Sequence, residues 1–256
     1  MKLDLPILDG FYDETPYLTA EKCMNEKVRA VKERVMGLGL KTAVITWSFD
    51  VNVASTLPDF ELLFESTVGH VYLYNNKILV YFATIGAPVA AGTMEELHAM
   101  GIVNFVAYGS AGCIVPGYDH ESALVVEKAI RDEGTSYHYL PPSIYAQTDV
   151  GFTEKLSKFL KTKKIKHHIG TTWTTDAFFR ETPGRIAKRI EQGAKAVEME
   201  SATLCAVAEF YGLRFCQFLY FSDVVSDQDW TWKDKTYRDN AKVAYLKIAI
   251  EFAESL

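Results

Sequence analysis

Ile102-Val103-Asn104-Phe105-Val106-Ala107-Tyr108 runs directly into Gly109-Ser110-Ala111-Gly112. The first seven residues are almost continuously apolar, the pattern of a strand covered on both faces. Upstream, Pro88 stands where a helix starts, residues 89–100 read as that helix, and Gly101 stops it. Residues 42–49 (TAVITWSF) predict another strand, and 70–74 with 78–84 predict a hairpin around Asn75-Asn76, a pair that tolerates positive φ. Downstream, residues 123–129 and 213–221 read as strands. Residues 152–160 carry helical periodicity, as do 185–191 after Pro183-Gly184. A strongly apolar helix at 201–211 is closed by Gly212, and residues 237–255 make the last helix. Strands alternating with helices predict an α/β fold, a mostly parallel mixed central sheet flanked by helices. No linker or repeat interrupts the chain, so residues 1–256 are expected to form a single domain.

The composition is that of a soluble enzyme: 48% apolar, 23% charged, with 15 Phe and 14 Tyr to build a core. A formal net charge of -6 with no basic stripe argues against nucleic acid as a partner. No stretch approaches the roughly 20 apolar residues that span a bilayer. The start, Met1-Lys2-Leu3-Asp4, has no apolar signal core. A cytoplasmic protein with no membrane partner is the expectation. Cys23, Cys113, Cys205 and Cys216 are scattered and read as buried, reduced thiols. The histidines show no metal spacing and no GxGxxG follows a strand, so no metal or dinucleotide cofactor is expected. Tyr108 stands where a nucleophile elbow needs glycine, which argues against a serine hydrolase. His138, between Tyr137 and Tyr139, reads first as a surface-loop histidine, with a ligand contact or a subunit boundary as the alternative.

The chemistry gathers near the C-terminal third. Asp223 follows an apolar run ending in Phe221-Ser222, placing it at the carboxyl edge of a strand, where open α/β sheets bind ligands. Partial desolvation there raises a carboxyl pKa towards a useful general-acid value; an Asp capping the next turn fits the position as well. Val197-Glu198-Met199-Glu200 precedes the helix at 201–211. Carboxylates at a helix N-terminus are stabilised by its dipole, which is a structural reason for Glu198 and Glu200. Alternatively, Glu200 accepts hydrogen bonds from ribose hydroxyls while Met199 packs on the sugar, and the carboxylate supports positive charge developing at an anomeric carbon. Trp230 and Trp232 fit either a flap over such a site or an anchor for the last helix.

Val197-Glu198-Met199-Glu200-Ser201-Ala202-Thr203-Leu204, Asp223, the Gly109-Ser110-Ala111-Gly112 turn and Thr174-Thr175-Asp176-Ala177-Phe178-Phe179 together resemble the nucleoside phosphorylase superfamily. The similarity is to the branch of purine nucleoside phosphorylases, uridine phosphorylases and methylthioadenosine nucleosidases. Arg131-Asp132-Glu133-Gly134-Thr135-Ser136-Tyr137-His138-Tyr139 is similar to a segment of its uridine-phosphorylase-like members. The resemblance covers about residues 86–230, and the first eighty residues match poorly. It implies that Met199 and Glu200, with Glu198 beside them, hold ribose. Asp223 protonates the leaving base, Phe178 stacks on it, and Arg180 or Arg185 reads its edge. Ser110 meets phosphate or ribose, and Gly109 with Gly112 shapes a turn whose backbone N–H groups suit an anion. It further implies phosphate as co-substrate, no cofactor, and a homo-oligomer, a trimer or hexamer built from dimers.

The chain departs from that pattern where phosphate is held. Phosphorylases of the branch place Arg in a loop after the first strand, where this chain has Asp50-Val51-Asn52-Val53, and a second Arg where it has Ala107. Loss of two bidentate guanidinium contacts should cost several kcal/mol of phosphate binding. Arg29, Arg34 or a neighbouring subunit's cation replacing them is one expectation. Another is water as nucleophile, for which Glu14 and Glu21 are available carboxylates without a recognisable motif. Nucleoside binding without turnover is the third. The residues divide on the base: Asp223 favours purine, while Ser201-Ala202-Thr203-Leu204 is uridine-like.

Overall fold

The computed structural model describes residues 5–12, 14–47, 59–225 and 230–256. The apolar run that opens the argument lies in strand β5 (Asn104–Cys113), which has parallel neighbours on both sides, β1 (Thr42–Trp47) and β10 (Arg214–Val225). Alternate residues of β5 serve two cores. Phe105 and Ala107 face a cluster that also holds Val35, Met94, Leu97, Leu204 and Phe215. Val106 and Tyr108 face the opposite one, with Phe152, Leu156, Phe218, Leu246 and Phe252. The first cluster is covered by helices α2 (Glu26–Gly37), α3 (Ala87–Ala99) and α6 (Ser201–Tyr211), the second by α4 (Val150–Thr162) and α7 (Lys235–Glu254). Both faces therefore bury apolar side chains, and that double burial is what the continuous run encodes. Two short helices, α1 (Ala20–Cys23) and α5 (Pro183–Glu191), lie outside these layers.

Beyond β1 the sheet continues through parallel β4 (Ile78–Ala83) to antiparallel β3 (Gly69–Tyr74) and β2 (Phe60–Ser66). The turn between β3 and β4 puts Asn75 at φ 48 and Asn76 at φ 55, the conformation expected of this pair. On the other side β10 runs antiparallel to β6 (Ala123–Asp132), which lies parallel to β8 (His167–Thr175). Next comes parallel β9 (Ala194–Glu198), and β9 returns antiparallel to β5 through Gly112–Val197 and Cys113–Ala196. The path β5, β10, β6, β8, β9 thus closes on itself. Short β7 (Tyr145–Gln147) and β11 (Trp230–Trp232) attach antiparallel to β6 and β10.

The architecture is the expected α/β domain with a mixed sheet flanked by helices, and the difference lies in its ring. Residues 109–112 are not a turn. They continue β5 in register with β10, from Gly109–Leu219 to Gly112–Asp223. Extended backbone points successive N–H groups to opposite sides, so no cradle of consecutive donors forms there. Cys23 is exposed, unlike the other three cysteines. Among the described residues, no helix is long and apolar enough to cross a membrane.

Candidate functional site

Ring closure brings distant residues to one place by register. Gly112 of β5 pairs with Val197 of β9 on one side and with Asp223 of β10 on the other, while Thr174 of β8 pairs with Glu198. The β5–β10 register shifts between Phe221 and Asp223, an irregularity of the kind that re-aims a side chain. Asp223 is no turn cap; it lies in the ladder, opposite Trp232 of β11. Its Oδ1 accepts the Ser222 hydroxyl at 2.7 Å, and its Oδ2 accepts the Trp230 indole N–H at 2.8 Å. The carboxylate stands directly over Gly112, where a Cβ would come within 2.9 Å of Oδ2. Close approach, not turn geometry, explains that glycine.

Glu198 ends β9 and is buried. Its Oε1 accepts the Thr174 hydroxyl at 2.6 Å, and its Oε2 accepts the backbone N–H groups of Glu200 and Ser201 at 2.7 and 2.6 Å. One carboxylate thus ties β8 and β9 to the first turn of α6, satisfying donors that a helix start leaves open. Burial pushes this carboxyl up, opposed by those hydrogen bonds. Both oxygens are engaged within the protein.

Glu200 stands at the N-terminal boundary of α6 and is also buried. Its Oε1 accepts the Gly86 N–H at 2.7 Å, reaching the segment between β4 and α3, where Gly86 holds φ 114. Burial, followed by the charge of Glu198, pushes the Glu200 carboxyl up to about 8. Met199, half-buried, lies between the two glutamates in sequence.

From the end of β8 the chain enters a 3-10 turn, Phe178–Arg180. Phe178 is 47% exposed and Phe179 87%, with ring centroids 4.0 Å apart. Arg180 and Arg185 are exposed. The next residue after the turn, Glu181, is half-buried, and its carboxyl is pushed up to about 7 by burial and by the charge of Asp223. Sequence reading passed over Glu181; its only signal was adjacency to Phe178 and Arg180.

Ser110 is exposed on β5 between the last pairing with β1, at Tyr108, and the first with β9, at Gly112. Its β10 partner is Tyr220, whose phenol is raised by burial and lowered by the Ser110 side chain and the charge of Arg238. Ala107 is fully buried between Ile45 and Gln217 in the ladder, so that position offers no cation. Arg34 is spent on Glu61 at 2.6 and 2.7 Å, and Arg29 on the carbonyls of Met24 and Glu21. Neither replaces the missing arginines from within this subunit. Asp50-Val51-Asn52-Val53 lie outside the described residues. Glu21 pairs with Lys32 on the surface, Glu14 is exposed, and His138 is exposed on the turn Thr135–His138. Arg131 is buried, stacks 4.2 Å from the Tyr137 ring, and donates to Ser136, Ser143 and the carbonyls of Leu140 and Pro141.

Sequence comparison identifies the family. The profile of the phosphorylase superfamily matches residues 51–254. A uridine phosphorylase of Thermococcus kodakarensis is 32% identical over 158 residues, 56% of this chain and 57% of that protein. The uridine phosphorylase of Escherichia coli K12 is 29% identical over 164 residues, 59% of this chain and 65% of that protein. A guanosine phosphorylase of Halorubrum lacusprofundi is 30% identical over 130 residues, 51% and 54% of the two chains. The matched part spans between about half and two thirds of each of these relatives. With its ring of strands carrying Gly112, Glu198 and Asp223 to one end and a family match across most of its length, this chain belongs to the phosphorylase superfamily.

Proposed function

We propose that the chain is a nucleoside phosphorylase. A phosphate oxygen attacks the anomeric carbon, the C–N bond breaks, and ribose 1-phosphate and a free base are released. The observation that carries this reading is the shared position of Asp223 and the Glu198–Glu200 segment on either side of Gly112. Glu200 and Met199 hold the pentose, and the negative charge of Glu200 favours positive charge developing on the ring. Glu198 fixes the turn that presents them. Asp223 delivers the proton that the departing base needs. Phe178, half-exposed in the turn after β8, stacks on the base. Arg180 or Arg185 meets its edge.

Ser110 faces the gap between β1 and β9 and suits phosphate or a ribose hydroxyl, while the missing side chain of Gly109 makes room for the Trp47 ring. A homo-oligomer, a trimer or hexamer built from dimers, belongs to the same reading; a neighbouring subunit then supplies the cations. Hydrolysis by water is the second reading, favoured by one observation: buried Ala107 where a phosphate arginine is needed.

The test is product analysis. Guanosine, inosine, adenosine and uridine are incubated with the protein, with and without inorganic phosphate, and the products are chromatographed. Strict phosphate dependence with ribose 1-phosphate formed supports phosphorolysis, and base release without phosphate supports hydrolysis. Protection from unfolding by nucleoside with no product would leave a binding protein. Asp223→Asn should slow cleavage by about 10²–10⁴-fold, the range of a lost general acid.

A further inference from the structure

Asp223 is held at both oxygens, by its own neighbour Ser222 at 2.7 Å and by the Trp230 indole at 2.8 Å. Trp230 reaches it because β11 pairs back on β10, with Val225 opposite Trp230 and Asp223 opposite Trp232. The Trp230 ring is itself braced edge-on by Trp232, centroids 4.6 Å apart, and the Arg238 guanidinium lies 4.7 Å over Trp232. An indole N–H only donates. A donor aimed at a carboxylate oxygen favours the anion and fixes its direction. We propose that Trp230 is a positioning residue for Asp223: its N–H orients the carboxylate over Gly112. This rests on Asp223 acting as the acid in the reading above.

Other groups act on the same carboxyl. Glu181 bears on it from the loop after β8, and Cys113 from β5. Lys233, whose backbone N–H donates to the Ser222 carbonyl, stands just beyond, with its ammonium on Glu121 and the His120 carbonyl. Trp230 and Ser222 supply the two donors that fix the carboxylate among these groups. With the indole N–H gone, one oxygen loses its partner and the carboxylate is free to turn away from its place over Gly112.

The experiment compares wild type, Trp230→Phe, Trp232→Phe and Asp223→Asn, using guanosine and uridine with inorganic phosphate. Trp230→Phe keeps an aromatic ring and removes only the donor. Its kcat should fall several-fold with little change in KM, as expected for a group that aligns the acid and does not bind substrate. Trp232→Phe keeps the donor and should lose much less. In ¹⁵N-labelled protein, the Trp230 indole resonance should move in Asp223→Asn. An unchanged kcat for Trp230→Phe, with Asp223→Asn inactive, overturns the Trp230 proposal alone. Full activity of Asp223→Asn overturns the acid assignment instead, and the indole resonance then still reports whether the contact exists in solution. An indole signal indifferent to Asp223→Asn overturns the contact.

Discussion

Gly112 leaves the space that the Asp223 carboxylate occupies: a Cβ added there would lie 2.9 Å from Oδ2 and 3.1 Å from a methyl of Val197. Neither neighbour retreats freely, since Val197 is buried and Asp223 is held by Ser222 and Trp230. Gly112→Ala therefore pushes the carboxylate off its donors. Overpacking of this kind costs about 1–3 kcal/mol, read as a lower melting temperature. The larger effect is on rate, because an acid displaced by a fraction of an ångström loses its line to the base. A kcat reduced at least about tenfold, with KM nearly constant, is the expected result. A variant as active as wild type would show that the close approach does not matter.

Burial and the charge of Glu198 raise the Glu200 carboxyl to about 8, from an ordinary value of 4.5. A group raised on folding keeps its proton after the unfolded chain has lost it. The stability it contributes is complete below about pH 4.5 and declines as pH climbs to about 8, with a slope of up to about 1.4 kcal/mol per pH unit. Wild type should therefore lose stability relative to Glu200→Gln across that window. Denaturant titrations of both proteins from pH 4 to pH 9 check this. Parallel curves would mean that Glu200 titrates normally.

Sugar binding should draw on the same proton. Ribose hydroxyls donate to Glu200, which favours its ionised form and lowers its pKa. Nucleoside binding near pH 7 should then release a fraction of a proton, declining to none well above pH 8. Calorimetry in two buffers of different ionisation enthalpy reads the number directly. Uptake in place of release would contradict a carboxylate on the sugar.

What could be read from the chain follows from what each segment must bury. Residues 102–108 were legible because β5 is covered on both faces, and residues 201–211 because α6 is apolar throughout and ends at Gly212 in the left-handed conformation. Strand β8 was not foreseen: Thr171-Thr172 and Thr174-Thr175 fill it with β-branched polar residues whose hydroxyls are used inside the ring, so no apolar signal marks it. The same chemistry hid Glu198, since an anchor carboxylate and a dipole-stabilised one look alike in sequence. Residues 109–112 were misread because glycine serves turns and close approaches equally, and only the distance from Gly112 to Asp223 tells them apart. Asp223 and Glu200 stand out in the sequence by their positions at a strand end and a helix start, whereas Trp230 and Glu181 owe their place to strand pairing and loop path.

Phe178 and Phe179 touch, yet they differ in exposure, 47% against 87%. The more sheltered ring is the one we assign to the base. Stacking a base on an aromatic contributes about 1–3 kcal/mol, so Phe178→Ala should raise KM about tenfold or more. Phe179→Ala should raise it much less. Steady-state kinetics on both variants decide the order, and equal effects would assign the two rings jointly.

Arg131 carries a different kind of prediction, because its guanidinium is buried and serves the fold. It donates to Ser136 and Ser143 and to the carbonyls of Leu140 and Pro141, while the Tyr137 ring covers it. The buried carboxylate of Glu133 binds the Ser136 N–H and the Thr203 hydroxyl, linking the same segment to α6. Arg131→Ala leaves the buried Ser136 hydroxyl without its donor and turns three part-buried acceptors over to water. The expected loss is about 1–3 kcal/mol, the range for a buried polar group left unpaired. Lysine in its place cannot fork to four acceptors in one plane and should recover only part of it. Denaturant unfolding of Arg131→Ala and Arg131→Lys tests this, and a loss below about 1 kcal/mol for alanine would mean that Tyr137 and the carbonyls hold the turn without the guanidinium.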